Sequence, residues 1–341
     1  NFVLSSCLRE GGDKKEQKVA YKIFRIVKTV IKTFLYILIF ILLLLMLPVV
    51  QTKLATWVMD RINKDYKVNM HVERVSISLT GMVGLDGVLI RDHHQDTLIA
   101  ARQIRTPLLD LKAVMEGNLI FSTIDADGLV MDMKTYKGDT LSNLDVFVAS
   151  FDSGEPSSPE PFIMRANTIR LKNSYIRVCD FNTTAQESPI LVEVEGIGGI
   201  ISDFEIVDSD VKLQMKHGEL LYGKHLKVDD LFANFHYADT LISLDGMLLK
   251  TPFSTIDADL SFAPYKESYA DFLNKVTVKA TLRNSLISTN DLNGFYDGFA
   301  MEKNLEVEGE LSGTLNNLSI KDIHLYHEST SIEAENILLK N

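Results

Sequence analysis

Few residues in this chain have the types and spacing that chemistry requires, and the clearest pair is His93–His94. Adjacent side chains in a strand point to opposite faces, and the acidic and amide residues beside this pair are typical of a turn. The spacing therefore does not predict a shared metal ion. Asp257 and Asp259 lie two residues apart, on what reads as the solvent face of a strand, and this does not favour a catalytic role.

The short motifs of common enzymes are missing from the sequence. It contains no G-x-S-x-G, no phosphate-binding glycine-rich loop, no H-E-x-x-H and no C-x-x-C. Each of these motifs places a nucleophile, a phosphate or a metal ion at a fixed position in a fold. We therefore predict that the protein is not an enzyme, holds no metal ion and needs no cofactor.

The strongest signal is an apolar run without a charge, from Phe34 to Val50. As a helix it would be about 26 Å long, close to the hydrocarbon thickness of a bilayer. It is longer than the core of a cleaved signal peptide, and no cleavage site of small residues follows it, so we predict a retained transmembrane helix. Basic residues precede it on one helical face, among them Lys28 and Lys32, and they place the N-terminal tail in the cytoplasm.

The charge distribution separates this tail from the rest of the chain. Residues 1–32 contain eight Lys and Arg against three Asp and Glu, whereas the remainder contains 27 against 43. An acidic surface argues against nucleic acid as a partner, because phosphate binding needs clustered basic residues. The two cysteines, Cys7 and Cys179, fall on opposite sides of the predicted membrane, so we expect no disulfide.

The hydrophobic period changes along the chain. Residues 51–66 read as an amphipathic helix, and Trp57 lies where an indole prefers the edge of a bilayer. From Tyr66 onward the period is 2, typical of strands, with a slip at Glu73–Arg74 that predicts a β-bulge. The Pro- and Ser-rich residues 152–161 cannot pair in a sheet and predict a linker.

These patterns divide the chain into six parts. We assign a basic cytoplasmic tail to residues 1–33, a transmembrane helix to 34–50, an interfacial helix to 51–66, a first β module to 67–151, a linker to 152–161 and an elongated β module to 162–341. Because residues 337–341 still read as a strand, we also expect the protein to continue beyond them.

A five-residue unit recurs in the β part: apolar, any, apolar, polar, then Gly, Asn or Asp. It occurs at residues 83–87, 124–128, 169–173, 226–230, 318–322 and 332–336. Gly, Asn and Asp tolerate the backbone angles of a kink or tight turn. The unit therefore predicts one sheet that is extended repeatedly by the same local device.

The late strands alternate cleanly and so have one wet and one apolar face. The residues of this apolar face are Ile256, Ala258, Leu260, Phe262, Val276, Val278, Ala280, Leu282, Leu305, Val307 and Leu311. No long amphipathic helix is available to cover this face. Either a second sheet covers it, giving a sandwich, or the sheet curves into a groove for acyl chains, and periodicity leaves both open.

Several stretches together resemble the N-terminal part of the AsmA-like superfamily, most closely its translocation and assembly branch, TamB, as found in Bacteroidota. The stretches are residues 47–54, 72–79, 85–93, 128–138, 143–145 and 166–180. The resemblance implies a mostly β protein with one N-terminal transmembrane helix and a curved, taco-like sheet groove. It further implies an inner-membrane protein of a diderm bacterium that spans the periplasm and guides phospholipids toward the outer membrane.

The same resemblance implies an Omp85-type outer-membrane partner, bound through a C-terminal region that this sequence lacks. Two other functions stay open. The protein could be a scaffold for outer-membrane protein assembly or secretion whose sheet edge pairs with client strands, or a single-anchor periplasmic jelly-roll or sensor subunit.

Overall fold

A computed structural model describes most of the chain. The described residues are 14–45, 47–78, 80–107, 118–150, 163–182, 188–207, 210–223, 225–238, 240–264, 272–294, 302–327 and 330–340. The chain separates into two units, Asn1–Leu54 and Ala55–Asn341. The predicted linker at 152–161 and the start of the predicted tail, 1–13, lie outside the described residues.

Two helices begin the described chain, α1 at Lys14–Leu45 and α2 at Pro48–Tyr66. The apolar run predicted as one helix is thus divided between them. Proline lacks a backbone N–H and is accommodated in the first turn of a helix but not in its interior, so a new helix begins at Pro48. Within the ranges given above, no helix is long and apolar enough to cross a membrane.

The remainder of the described chain is mostly β, and its fifteen strands form one large, curved, open sheet. The strands are β1 Asn69–Ile77, β2 Met82–Arg91, β3 Thr97–Pro107, β4 Asn118–Thr135, β5 Ile163–Asp180, β6 Ile190–Val207, β7 Asp210–Tyr222, β8 Leu226–Val228, β9 Asp230–Ala238, β10 Leu241–Lys250, β11 Thr255–Ala263, β12 Thr277–Ser288, β13 Asn304–Thr314, β14 Asn317–His327 and β15 Thr330–Lys340. Between these strands the described residues also form three short helices, α3 Asn143–Ala149, α4 Phe272–Lys275 and α5 Thr289–Leu292.

The sheet is a meander with two exceptions. First, β7 pairs both with the short strand β8 and with β9. Second, β4 and β5 run parallel. Parallel neighbours need a long crossover, and the stretch of chain between Thr135 and Ile163, which includes α3, is long enough for one. On either side of the module boundary predicted at 152–161, β4 and β5 pair from Asn118 with Ile163 to Thr135 with Asp180, so these two strands belong to one sheet.

A single sheet excludes one of the two arrangements that periodicity left open. A sandwich needs two sheets packed face to face. All strands in the described part of the chain belong to the same sheet, which is open, so these residues form no sandwich.

The recurring five-residue unit places a kink at its last residue in four of its six occurrences. These residues are Gly87, Gly128, Asn173 and Asp322, with φ of 64°, 65°, 49° and 49°. Side chains rarely adopt this left-handed region, and Gly, Asn and Asp do so most easily. The units at 226–230 and 332–336 end on ordinary backbone angles. The predicted local device is therefore present at most of its positions.

The kinks of β2, β4 and β5 lie in one line across the sheet, with Arg102 of β3 between the first two. Gly128 and Asn173 are neighbours in the parallel register, and Asn173 Nδ2 donates to Asp127 Oδ1 at 3.0 Å. A Cβ on Gly87 would collide with the side chain of Glu73 on β1. The prediction of a β-bulge at 73–74 is wrong, because the register between β1 and β2 is continuous there. The break in the alternation of apolar residues at Glu73 instead lies opposite Gly87, where β2 is kinked.

Candidate functional site

One face of the sheet carries a continuous row of apolar side chains, one from each strand from β4 to β15 except the short β8. In its middle, Leu260 pairs with Leu244 on one side and with Ala280 on the other. The whole row, here called the central row, is Phe121, Ala166, Phe204, Leu213, Phe235, Leu244, Leu260, Ala280, Leu311, Ile320 and Ile337. Ten steps between strands at about 4.8 Å give it a length of about 48 Å.

Two further apolar rows flank the central row on the same face. The first consists of Leu119, Met164, Ile206, Val211, Tyr237, Ile242, Phe262 and Val278. The second consists of Ile124, Ile169, Ile201, Met215, Ala233, Met247, Ala258 and Leu282. The apolar face is therefore three side chains wide over much of the sheet, and neither row contains a charge.

The face combines buried small residues with half-buried large ones. Ala166 and Ala258 are each 1% exposed, while Phe235, Leu260 and Leu311 stay partly accessible. Large side chains of neighbouring strands pack against the alanines. No second sheet of the described residues covers these large side chains. Accessible apolar surface of this extent on a folded chain is characteristic of a binding surface.

The structure places the sequence-predicted groove residues on or beside this face. Strand β11 pairs with β12, so that Leu260 lies beside Ala280. Ala280 pairs in turn with Leu311 on β13. All eleven are buried or half-buried. Val276 is completely buried and lies just before β12 begins.

Sequence reasoning missed the extension of the face toward β4 and toward β15. It overlooked Phe121, Ala166, Phe204, Leu213, Phe235, Leu244, Ile320 and Ile337. Alternation was present, as in 211–215 and 242–244, and could have identified several of these positions. These residues form one row only because of the register between strands, and a local sequence pattern does not predict that register.

The opposite face carries cross-strand ion pairs. The guanidinium of Arg283 on β12 contacts Asp257 and Asp259 on β11, and Arg170 on β5 lies 3.0 Å from Asp125 on β4. The hydrogen bonds from Arg283 and from the N–H of Gly246 hold the pKa of Asp259 below its ordinary value. The carboxylates of Asp257, Asp259 and Asp125 are therefore paired with cations on neighbouring strands, which is a common arrangement on a solvent-facing sheet surface.

A network of polar side chains lies at one end of strands β2, β3 and β4. Asn143, at the start of α3, is fully buried; its Nδ2 donates to Asp92 Oδ2 at 2.9 Å, and its Oδ1 accepts from the N–H of Lys134 at 2.8 Å. The hydroxyl of Tyr136 donates to Asp92 at 2.7 Å and to Asp96 at 2.9 Å. Burial raises the pKa of Tyr136, and the two carboxylates raise it further, so its hydroxyl stays protonated near neutral pH.

His93 and His94 lie in the turn between β2 and β3, as the flanking residues predicted. They do not point apart as strand neighbours would, because the turn brings both rings toward Asp139 in the loop after β4. At the N-terminus, Arg25, Lys28 and Lys32 are exposed, and Trp57 is 63% exposed.

The fold and its faces define a class of protein: a long single-sheet β protein with one apolar and one charged face. Comparison with known proteins finds no matching family model and no curated protein of similar sequence. The function is therefore argued from the two faces of the sheet and from the N-terminal helices.

Proposed function

We propose that this protein is an inner-membrane-anchored bridge that guides phospholipids through the periplasm, with their acyl chains on the apolar face of the sheet. The central row is the observation that carries the proposal. It runs across eleven strands without a polar or charged member, and its large side chains remain partly accessible. The resemblance to the AsmA-like superfamily and TamB agrees with this function.

The energetics of lipid transfer explain why continuity matters. Each methylene of an acyl chain that enters water costs about 0.8 kcal/mol, so a lipid leaves a bilayer readily only onto another apolar surface. A single charge in the row would interrupt that surface, because charges are costly to dehydrate. Three adjacent rows on β4 to β12 provide the width for hydrocarbon while the charged headgroup stays in solvent.

The N-terminal unit supports an anchor. Phe34, Phe40 and Leu43 on α1 are 66%, 61% and 58% exposed, as are many of their apolar neighbours. Such a surface is unfavourable in water and favourable in hydrocarbon. Exposed Lys28 and Lys32 precede it and suit an anionic headgroup layer. We infer that 34–50 anchors the chain, with the tail cytoplasmic and the sheet periplasmic.

Site-specific photo-crosslinking in living cells tests the lipid function. A photoreactive residue replaces Leu311 of the central row in one variant and Glu310, its exposed neighbour on the other face, in the matched control. Cells are labelled with ³²P so that phospholipid adducts are radioactive. The proposal expects adducts at Leu311 and none at Glu310.

Equal labelling at both positions would contradict the proposal, and so would its absence from both. Adducts to outer-membrane protein chains in place of lipid would favour the scaffold function instead. The two positions differ by one residue, so expression and reagent access are closely matched.

A further inference from the structure

We propose that His93, His94 and Asp139 form a binding site for a divalent transition-metal ion, with Zn²⁺ as the best match. Nε2 of His93 lies 3.6 Å from Asp139 Oδ2, and Nε2 of His94 lies 3.8 Å from the same oxygen. The ligand atoms of all three residues lie within 4.8 Å of one another. This site lies apart from the apolar face and is independent of the lipid function.

The geometry suits a tetrahedral ion. Zn²⁺ binds imidazole nitrogen and carboxylate oxygen at about 2.0–2.2 Å, which separates neighbouring ligands by about 3.4 Å. The two distances to Asp139 already approach this value, and the side chains, which are 31–50% exposed, can move the remaining few tenths of an ångström. Two nitrogens and one oxygen leave the fourth position to water.

Hydrogen bonds between side chains and the backbone hold both loops in place without an ion. The N–H of His94 donates to Asp92 Oδ1 at 2.9 Å, which fixes the turn of the histidines. Asn182, after β5, donates to the carbonyl of Asp139 at 2.9 Å and accepts from the N–H of Gly138 at 2.8 Å. The ion would therefore join two ordered loops that are distant in sequence.

The ligand chemistry favours a borderline ion over Mg²⁺ or Ca²⁺, which prefer oxygen ligands. The neighbouring ring of Tyr136, with its centroid 4.0 Å from that of His94, limits the orientations of this imidazole. A metal-bound pair of histidines here would stabilise the end of β2 to β4 by linkage, because the unfolded chain does not hold the three ligands together.

Isothermal titration of the full chain with ZnCl₂, after removal of bound metal, tests the site. We expect one tight equivalent in the wild type, and His93→Ala, His94→Ala and Asp139→Asn should each weaken it by at least about 10-fold, since even a second-shell partner contributes that much. His217→Ala is the matched control: His217 also faces one carboxylate, Asp230 at 2.7 Å, but among the described residues it belongs to no group of three metal-ligating side chains.

Circular dichroism checks that each variant is folded, and the exposed positions of these side chains favour that result. The absorption of Co²⁺ in place of Zn²⁺ reports tetrahedral coordination directly and should disappear in His94→Ala. Failure of the wild type to bind Zn²⁺ tightly would overturn the proposal. An isotherm unchanged by all three substitutions, or reduced equally by His217→Ala, would overturn it as well.

Discussion

Asn143 is the residue on which the polar network at the end of β2 to β4 depends. Its amide satisfies the carboxylate of Asp92 and the backbone N–H of Lys134 in a completely buried position. Asn143→Ala should lower the free energy of unfolding by about 1–3 kcal/mol, because the N–H of Lys134 loses its side-chain acceptor and Asp92 loses one of its hydrogen bonds. Urea denaturation measures this loss.

The control for this change is Asn316→Ala. Asn316 makes a hydrogen bond of similar length, 2.9 Å to Asn274, but an exposed one. Its loss should cost no more than about 0.5 kcal/mol. Equal effects of the two substitutions would show that the buried network does not contribute as described.

Asp92 gives the network a pH dependence. Burial acts to raise the pKa of this carboxyl, but hydrogen bonds from Asn143, Tyr136 and two backbone N–H groups outweigh it and hold the pKa below its ordinary value. A lowered folded-state pKa stabilises the fold above the unfolded pKa and ceases to do so as pH falls through the folded value. Stability should therefore fall below about pH 4.

The measurement compares unfolding free energies of wild type and Asp92→Asn between neutral and acidic pH. The variant should be less stable at neutral pH, and its stability should fall less steeply in acid. Parallel curves for the two proteins would contradict a role for Asp92 in acid sensitivity.

At the scale of elements, close approach between strands restricts some glycines. A Cβ on Gly199 of β6, where φ is 151°, would collide with the backbone carbonyl of His217 on β7. Gly138 also has a positive φ, 91°, but a Cβ there would meet no atom within 4 Å. Gly199→Ala should therefore cost more stability than Gly138→Ala, by more than about 1 kcal/mol, since backbone cannot move aside as a side chain can.

Thermal unfolding of both variants measures the difference. Gly138→Ala has the cost of its own positive φ without such a collision, and it therefore serves as the control for backbone strain. A Gly199→Ala protein that is as stable as Gly138→Ala would show that β6 and β7 are not as close as described.

Local patterns predicted strands and several of the kinks, each for its own physical reason. Alternation shows which residues share a face, as for 256–262, because it follows from strand geometry alone. The five-residue unit predicted kinks at Gly87 and Asn173 because few residues tolerate a positive φ. Pairing between distant strands, such as β4 with β5, is not encoded locally, so neither the parallel pair nor the central row could be predicted.

The histidine site shows the same limit. The turn at His93–His94 was predictable from its flanking residues, but Asp139 reaches it only through the pairing of β2, β3 and β4. Reasoning from strand neighbours therefore missed this cluster. Likewise, the single apolar run concealed the helix break before Pro48.

For the whole molecule, a charge within the apolar face should abolish lipid binding. Leu260→Asp places a carboxylate in the middle of the central row, where its dehydration against hydrocarbon costs several kcal/mol. Leu260 is half-buried, so the variant can hydrate this carboxylate when no lipid is bound and remain folded. Phospholipid co-purifying with the protein, measured as organic phosphorus, should fall to background.

Lys279→Glu is the control, because it reverses an exposed charge on the opposite face of β12 and should leave co-purified lipid unchanged. Unchanged lipid in Leu260→Asp, with a folded sheet by circular dichroism, would contradict the assignment of this face.

The proposed orientation in the membrane has its own test. In a chain with Cys7→Ser and Cys179→Ala, a cysteine replaces either Asp60, which is exposed on α2, or Gly12 in the basic tail. An impermeant thiol reagent added to cells with a permeabilised outer membrane should label position 60 and not position 12. Labelling at position 12 alone would reverse the orientation.

The most direct test of the central claim is whether lipid contacts the whole length of the central row. Photoreactive residues at Phe121, Phe235 and Ile337 sample its two ends and its middle, with Asn234, which is exposed on β9, as the off-row control. The account predicts ³²P-phospholipid adducts at all three row positions and none at Asn234. Adducts at one row position only, or equal adducts at Asn234, would contradict a continuous path for lipid along this sheet.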